Sequence, residues 1–246
     1  MKKIFHYLFF IVAFASCSTA IVSVSEKQFP SISLINHFEY FKGEHEFKQL
    51  GTAFLLKYKN DTFAITAKHI LAFIKPDSSK NLTLENFVKA WTMSPLNKEN
   101  EIVIVDKLLN EHKNESLKSE RIYEKDWLVF SIKENSANVL PVEFREKPLV
   151  KGEKLYAIGW TRQMKEGNQR VYEFEFYQTK GTHHLMKKIK IPEKMGGLSG
   201  APVVDQDGKL VGIVSISEFN LFAMENMLAP VGTADLKAFL DNYPNK

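Results

Sequence analysis

The sequence predicts an all-β protein, an antiparallel sandwich or barrel finished by one C-terminal α-helix. Two observations carry that expectation. Short β-rich runs recur from Gly51 onward, separated at short intervals by Gly, Asn, Asp or Lys clusters, where βαβ units would need long helical patterns between strands. Only the end has firm helical periodicity: Leu236, Phe239 and Leu240 fall at i, i+3 and i+4 of "ADLKAFLDNY", with Thr233 placed to cap it and Pro244 to stop it. With 246 residues, 44% of them apolar, the chain can bury its core as one large domain or as two lobes of about 100 residues each.

At the N-terminus, "MKK" and "IFHYLFFIVAF" form a basic head and an apolar run of signal-peptide length, shorter than a membrane span. "FASCS" then resembles the lipobox of bacterial lipoproteins, which would make Cys17 the first mature residue and a lipid anchor. The competing expectations are cleavage after Ala20 by an ordinary signal peptidase and a Cys17 that is merely a small hydrophobe. Cys17 is the only cysteine, so no disulfide can form within the chain and the core must hold the fold alone. The formal charge of +4 falls by two when Lys2 and Lys3 leave with the signal, and no basic patch interleaved with aromatics stands out, so no nucleic-acid partner is expected.

Residues 17 to about 30 are small and polar and read as a tether or lead-in. "GTAFLLKY" and "TFAITA" are two strands joined by "KND", a hairpin with His69 just past its second strand, where it can meet partners from elsewhere. Residues 76 to 122 read as long loops, with "PDSSKNLTLENFVKAW" turn-rich and then weakly helical, "EIVIV" a strand, and a charged stretch after it. "KDWLVFSI" is an apolar strand opened by Asp126. "EKLYAIGW", "RVYEFEFYQT", "APVVD", "KLVGIVSI" and "LFAM" are the remaining expected strands. His183 and His184 are adjacent, so they point apart on a strand, and no third ligand stands at a telling spacing; neither metal nor cofactor is expected.

"GGLSGAPVVDQDGKLVGIVS" combines a serine with glycines that let the backbone turn sharply, so that the Gly197 and Ser199 N–H groups could converge beside the hydroxyl as an oxyanion hole. Alone, this segment fits a nucleophile and a plain glycine turn equally. Acyl transfer by serine also needs a histidine base and a carboxylate to orient it. "GTAFLL…FAITAKHI", "DWLVFSI" and the serine segment, in that order, resemble the three signature blocks of the chymotrypsin/trypsin-like serine peptidases, and "LVKGEKLYAIGW" and "LAPVGTADLKAFL" resemble bacterial members. The resemblance covers most of residues 48–242, with loops 76–122 and 161–194 outside it.

The resemblance implies two packed antiparallel β-barrels with a C-terminal helix. The expected division is signal peptide 1–16, tether and lead-in 17–35, N-terminal barrel 36–135, C-terminal barrel 136–232 and helix 233–246. It implies Ser199 as nucleophile, His69 as general base and then acid, and Asp126 as the orienting carboxylate, 57 residues after His69. Asp106, which closes "EIVIV", is the rival carboxylate; His37, His45, His112, His183 and His184 are the rival bases, none following a strand with small residues before it. Leu198 stands where many secreted animal members carry an aspartate that pairs with the N-terminus freed by zymogen cleavage, so a site assembled without such processing is expected. Lys68 and Ala201 replace small residues of the family pattern. Substrate contacts are expected from the strand Ser215, Ile216 and Ser217, which would add the peptide as a further strand, and from Glu193, six before the serine, at the base of the primary pocket.

Function follows as an expectation: an exported serine endopeptidase without cofactor, acting on protein or peptide substrates, held by Cys17 in the bacterial cell envelope as a periplasmic or surface lipoprotein, or alternatively secreted. The competing expectation is an inactive binding or scaffold protein on the same fold. An α/β-hydrolase esterase fits poorly, because Ala201 stands where that nucleophile motif has glycine and a strand, not a helix, comes next.

Overall fold

The computed structural model describes residues 25–41, 50–76, 80–85, 87–191 and 194–243. They form two closed six-stranded antiparallel barrels. The first contains β1 (Ser33–Tyr40), β2 (Thr52–Tyr58), β3 (Asp61–Thr66), β5 (Val88–Ser94), β6 (Val103–Leu108) and β8 (Leu128–Asn135), in the order β1-β2-β3-β8-β6-β5. The second contains β9 (Lys154–Gly159), β10 (Arg170–Lys180), β11 (His183–Lys190), β12 (Pro202–Val204), β13 (Leu210–Asn220) and β14 (Glu225–Gly232). A small ribbon, β4 (Asn81–Leu82) with β7 (His112–Ser116), lies beside the first barrel. Helix α1 (Lys68–Ile74) follows β3, and α2 (Ala234–Asn242) follows β14. Among the described residues no helix is long and apolar enough to cross a membrane.

The unbroken apolar runs of β2, β3 and β8 have a common cause. Their alternate residues serve two cores, since successive side chains leave opposite faces of a strand. Ala53, Leu55, Ala64, Leu128 and Phe130 fill the first barrel. Phe54, Leu56, Phe63, Ile65 and Val129 instead pack between the barrels, against Ile158, Ile213 and Val231 of the second. Each fully buried Phe or Leu contributes about 2–3 kcal/mol, so this shared core locks the two barrels together. Helix α2 caps it with Leu236 and Leu240, and Phe239 lies 5.4 Å from the Trp127 ring.

Several strand expectations need correction. "VKAW" lies in β5, because pairing with β1 from Ile35–Ser94 to Tyr40–Val88 and burial of Trp91 and Met93 override its weak helical pattern. "HHLMKKIK" is strand β11 despite its lysines, since it buries Leu185 on one face and Met186 on the other. "LFAM" is not a strand but the turn between β13 and β14; the strand begins at Glu225. Thr233 stands at the N-cap of α2 but its side chain bonds no amide there. Pro244 and Cys17 lie outside the described residues.

Candidate active site

Asp126 joins the elements of the site. A 3-10 turn, Glu120–Tyr123, capped by Ser119 accepting from the Arg121 amide, leads the chain into the seam between the barrels, where Asp126 is fully buried. Its Oδ1 accepts the His69 backbone N–H at 2.8 Å, and its Oδ2 accepts from His69 Nδ1 at 2.6 Å. The first bond explains how α1 begins without a polar cap: Ala67 offers none, and the Asp126 carboxylate takes a first-turn amide in its place. The second places the proton on Nδ1 and leaves the lone pair on Nε2.

Ser215 Oγ also donates to Asp126 Oδ2. Sequence reasoning places Ser215 only on the substrate strand; a hydroxyl directly after the apolar run "VGIV" is the one available signal. Aromatic rings flank His69, with Phe73 at 5.6 Å, edge-on, and Tyr123 at 5.9 Å. Burial and the nearby Asp126 charge raise the Tyr123 phenol above its ordinary value.

The serine loop is docked on the first barrel. The Thr52 amide donates to Ser199 O at 2.7 Å, and Thr52 Oγ1 donates to Gly197 O at 2.9 Å. Gly200 N donates to Val214 O at 2.8 Å, one residue before Ser215. Gly200 has φ +83°, and a Cβ there would lie 2.8 Å from the Ala67 amide, so the turn after Ser199 packs against the start of the helix that carries His69. The Gly196 carbonyl accepts from the Arg162 amide at 2.7 Å. In a trans peptide the N–H points opposite to the carbonyl, so the Gly197 N–H faces away from Arg162. Among the described residues neither Gly197 N–H nor Ser199 N–H is spent on a backbone bond. Leu198, fully buried in the second barrel's core, pins the loop from beneath.

The strand Ser215–Ser217 is paired on one edge only. Ile216 and Ser217 pair with Ala229 and Leu228 of β14, whereas β12 pairs with β13 only as far as Ile213. Glu193 lies outside the described residues. Of the described rivals, Asp106 is exposed on β6 and meets Ser131, His37 bonds Ser94 Oγ at 2.9 Å, His112 is exposed on β7, and His183 lies by the Tyr123 backbone within reach of the Asp126 charge; His45 is outside the described residues. His184 bonds Thr179 Oγ1 at 3.0 Å. Lys68, buried beside His69, pairs with Glu115 of β7 at 2.5 Å and so ties α1 to the β4–β7 ribbon. A concave volume of about 790 Å³ between Lys57, Arg145 and Lys209 is remote from His69 and lined by charges that pair with one another.

The trypsin-like peptidase domain model matches residues 51–213, more than half of the chain. The chain belongs to the trypsin-like peptidase family. Among solved structures, this trypsin-like chain is similar to the active form of the Rv3671c protease from M. tuberculosis (TM-score 0.55, 12% identity, covering 88% of this chain and 82% of that one). It is also similar to the serine endoprotease from Yersinia pestis (TM-score 0.53, 13% identity, 87% of this chain and 63% of that one). At such identities the likeness is one of fold. No curated protein sequence matches the chain.

Proposed function

We propose that this trypsin-like peptidase is an active serine endopeptidase in which Ser199, His69 and Asp126 act as a triad. The observation that carries the reading is the double grip of Asp126 on His69, through the backbone N–H and through Nδ1, with the Ser199 loop docked beside it. With Nδ1 protonated, His69 Nε2 accepts the Ser199 hydroxyl proton as Oγ attacks the carbonyl carbon of the peptide bond. The oxyanion that forms is met by the free Gly197 and Ser199 N–H groups. Collapse expels the amine, which takes the proton back from Nε2, and leaves Ser199 acylated; water then attacks by the same route and releases the acid.

The open edge of Ser215–Ser217 supports backbone recognition by strand addition. The lipobox-like "FASCS" supports export and anchoring through Cys17 in a bacterial cell envelope. A fluorophosphonate probe is expected to label the wild-type chain and to leave Ser199→Ala unlabelled. Label retained by Ser199→Ala would assign the reactive nucleophile to another residue, and label absent from wild type would favour an inactive scaffold; either removes the reading.

A further inference from the structure

The turn between β13 and β14 breaks the ordinary rule of turn chemistry. Hairpin turns are made of Gly, Asn, Asp and Pro, because those residues supply the needed backbone angles and keep the tip soluble. Here the turn is Leu221-Phe222-Ala223-Met224, with Met224 forced to φ +52° and the Asn220 side chain holding the Ala223 amide at 2.9 Å. Three of its side chains stand out in solvent: Leu221 is 74% exposed, Phe222 92% and Met224 72%. Phe219 before the turn and Ile189 on β11 add further exposed apolar surface. No core requirement explains them, and exposed apolar clusters of this kind mark contact sites.

The surroundings identify the partner. The acids at the foot of the turn, Glu218 and Glu225, are met by Lys180 and by Lys187 (3.8 Å), and Lys188 and Lys190 follow on β11. Exposed apolar residues at a turn whose acids are neutralised by lysines, with Lys188 in excess of those pairs, match an anionic bilayer, which offers a hydrocarbon interior beneath negative headgroups. The chain leads to the same place. Glu26, near the start of the described residues, lies 3.9 Å from Lys190, and Lys187 and Lys190 are about 10 Å apart along β11. The eight residues from Cys17 to Ser25 span at most about 28 Å, so an anchor at Cys17 would hold this rim close to a membrane.

We propose that Leu221, Phe222 and Met224 insert into the interface of an anionic bilayer, with the β11 lysines on its headgroups. Ser215 is six residues from the tip, about 20 Å along the strand, so docking sets the cleft about that far from the membrane and favours substrates presented at its surface. The insertion itself does not depend on the peptidase reading, and its test involves no catalysis.

The test uses the full chain with Cys17→Ser and a polarity-sensitive fluorophore on Phe222→Cys, or on Asp207→Cys at the opposite end of β13, with vesicles of phosphatidylcholine and phosphatidylglycerol. The probe at 222 is expected to shift to the blue and to be quenched by spin-labelled acyl chains, while the probe at 207 does neither. Joint replacement of Leu221, Phe222 and Met224 by serine is expected to weaken vesicle binding at least tenfold and to leave the melting temperature within a few degrees of wild type, since all three side chains are exposed. A probe at 222 that stays in water on vesicle-bound protein overturns the proposal. A shift without vesicles also overturns it, assigning the tip to a second copy if concentration-dependent and to the chain's own N-terminal segment if not. An equal shift on pure phosphatidylcholine overturns the part given to the lysines.

Discussion

Thr52 and Ser199 are joined across the seam between the barrels: the Thr52 amide donates to the Ser199 carbonyl at 2.7 Å, while Thr52 Oγ1 reaches the Gly197 carbonyl at 2.9 Å. Behind them Thr66 Oγ1 donates to Thr52 O, and Asn36 Nδ2 donates to Thr66 Oγ1, so the clamp is itself held from the first barrel. Thr52→Val keeps the amide bond and the volume but loses the hydroxyl. A neutral hydrogen bond is worth about 1 kcal/mol, so kcat/KM for a peptide substrate is expected to fall about fivefold, and Thr52→Ser to restore most of it.

Gly197→Ala should separate activity from folding. Gly197 sits at φ +104°, and a Cβ there would lie 2.5 Å from the Arg162 amide, so the peptide that aims the Gly197 N–H must rotate. Loss of one oxyanion donor costs about 10²–10³ in kcat. That loss is expected with a melting temperature within a few degrees of wild type, because Gly196 is exposed and Gly197 half-buried, so the peptide between them can turn without moving the buried Leu198. An unchanged kcat in Gly197→Ala would show that this N–H does not face the reacting carbonyl.

Ser215→Ala leaves the β13 backbone intact and removes one donor from the buried Asp126 carboxylate. Hydrogen bonds to charged groups are worth about 1.5–3 kcal/mol. The expected result is a fall in kcat of about tenfold or more with KM little changed, measured by steady-state peptide hydrolysis. A change confined to KM would instead make Ser215 a substrate contact.

The site's chemistry is more legible in the sequence than its supports are. His69, Asp126 and Ser199 stand in short blocks whose residue types carry meaning locally, and the paired strands β2 and β3 are plain from "TAFLLKY" and "DTFAIT" with a two-residue turn. The supports depend on contacts remote in sequence. Ser215 meets Asp126 across 89 residues and Thr52 meets Gly197 across 145, and a lone Ser or Thr in a strand carries no mark of such a partner. "VKAW" and "HHLMKKIK" are obscured for a related reason: half of each strand's residues face solvent or a barrel partner, so polarity hides the period of two. The apolar turn "LFAM" misleads because composition there answers to something other than local backbone preference.

Acid should weaken the fold before its carboxylates titrate. Burial holds His183 and His184 below the ordinary histidine value of 6.5, and for His184 the neighbouring His183 adds to the effect. The unfolded chain therefore binds protons first as pH falls through about 6.5, and stability that is full above that value is lost below it. The lowered carboxylates Glu173 and Asp241 act in the same direction only at more acidic pH. Urea midpoints are expected to drop between pH 7.5 and 5.5, and His184→Gln to flatten that drop. A midpoint independent of pH in this window would contradict the burial of these rings.

Lys75 closes the helix that carries His69 and is 3% exposed, yet its ammonium is saturated: Nζ donates to Asn81 O (3.0 Å), Asn81 Oδ1 (2.7 Å), Thr83 O (2.8 Å) and Thr83 Oγ1 (3.3 Å). The charge thus acts as an internal cation for the oxygens of the loop after α1. Lys75→Met preserves the aliphatic stem but takes the donor from Thr83 O and leaves Asn81 O and Oδ1 with only the Thr83 amide and hydroxyl, a loss of about 2–3 kcal/mol. For a chain of this size that corresponds to a fall in Tm of about 5–10 °C. Because α1 also bears His69, peptide hydrolysis should fall with stability in Lys75→Met, whereas Lys113→Met, which breaks only the exposed pair with Glu85, should change neither. Equal Tm values for the two variants would show that the buried ammonium adds nothing beyond its stem.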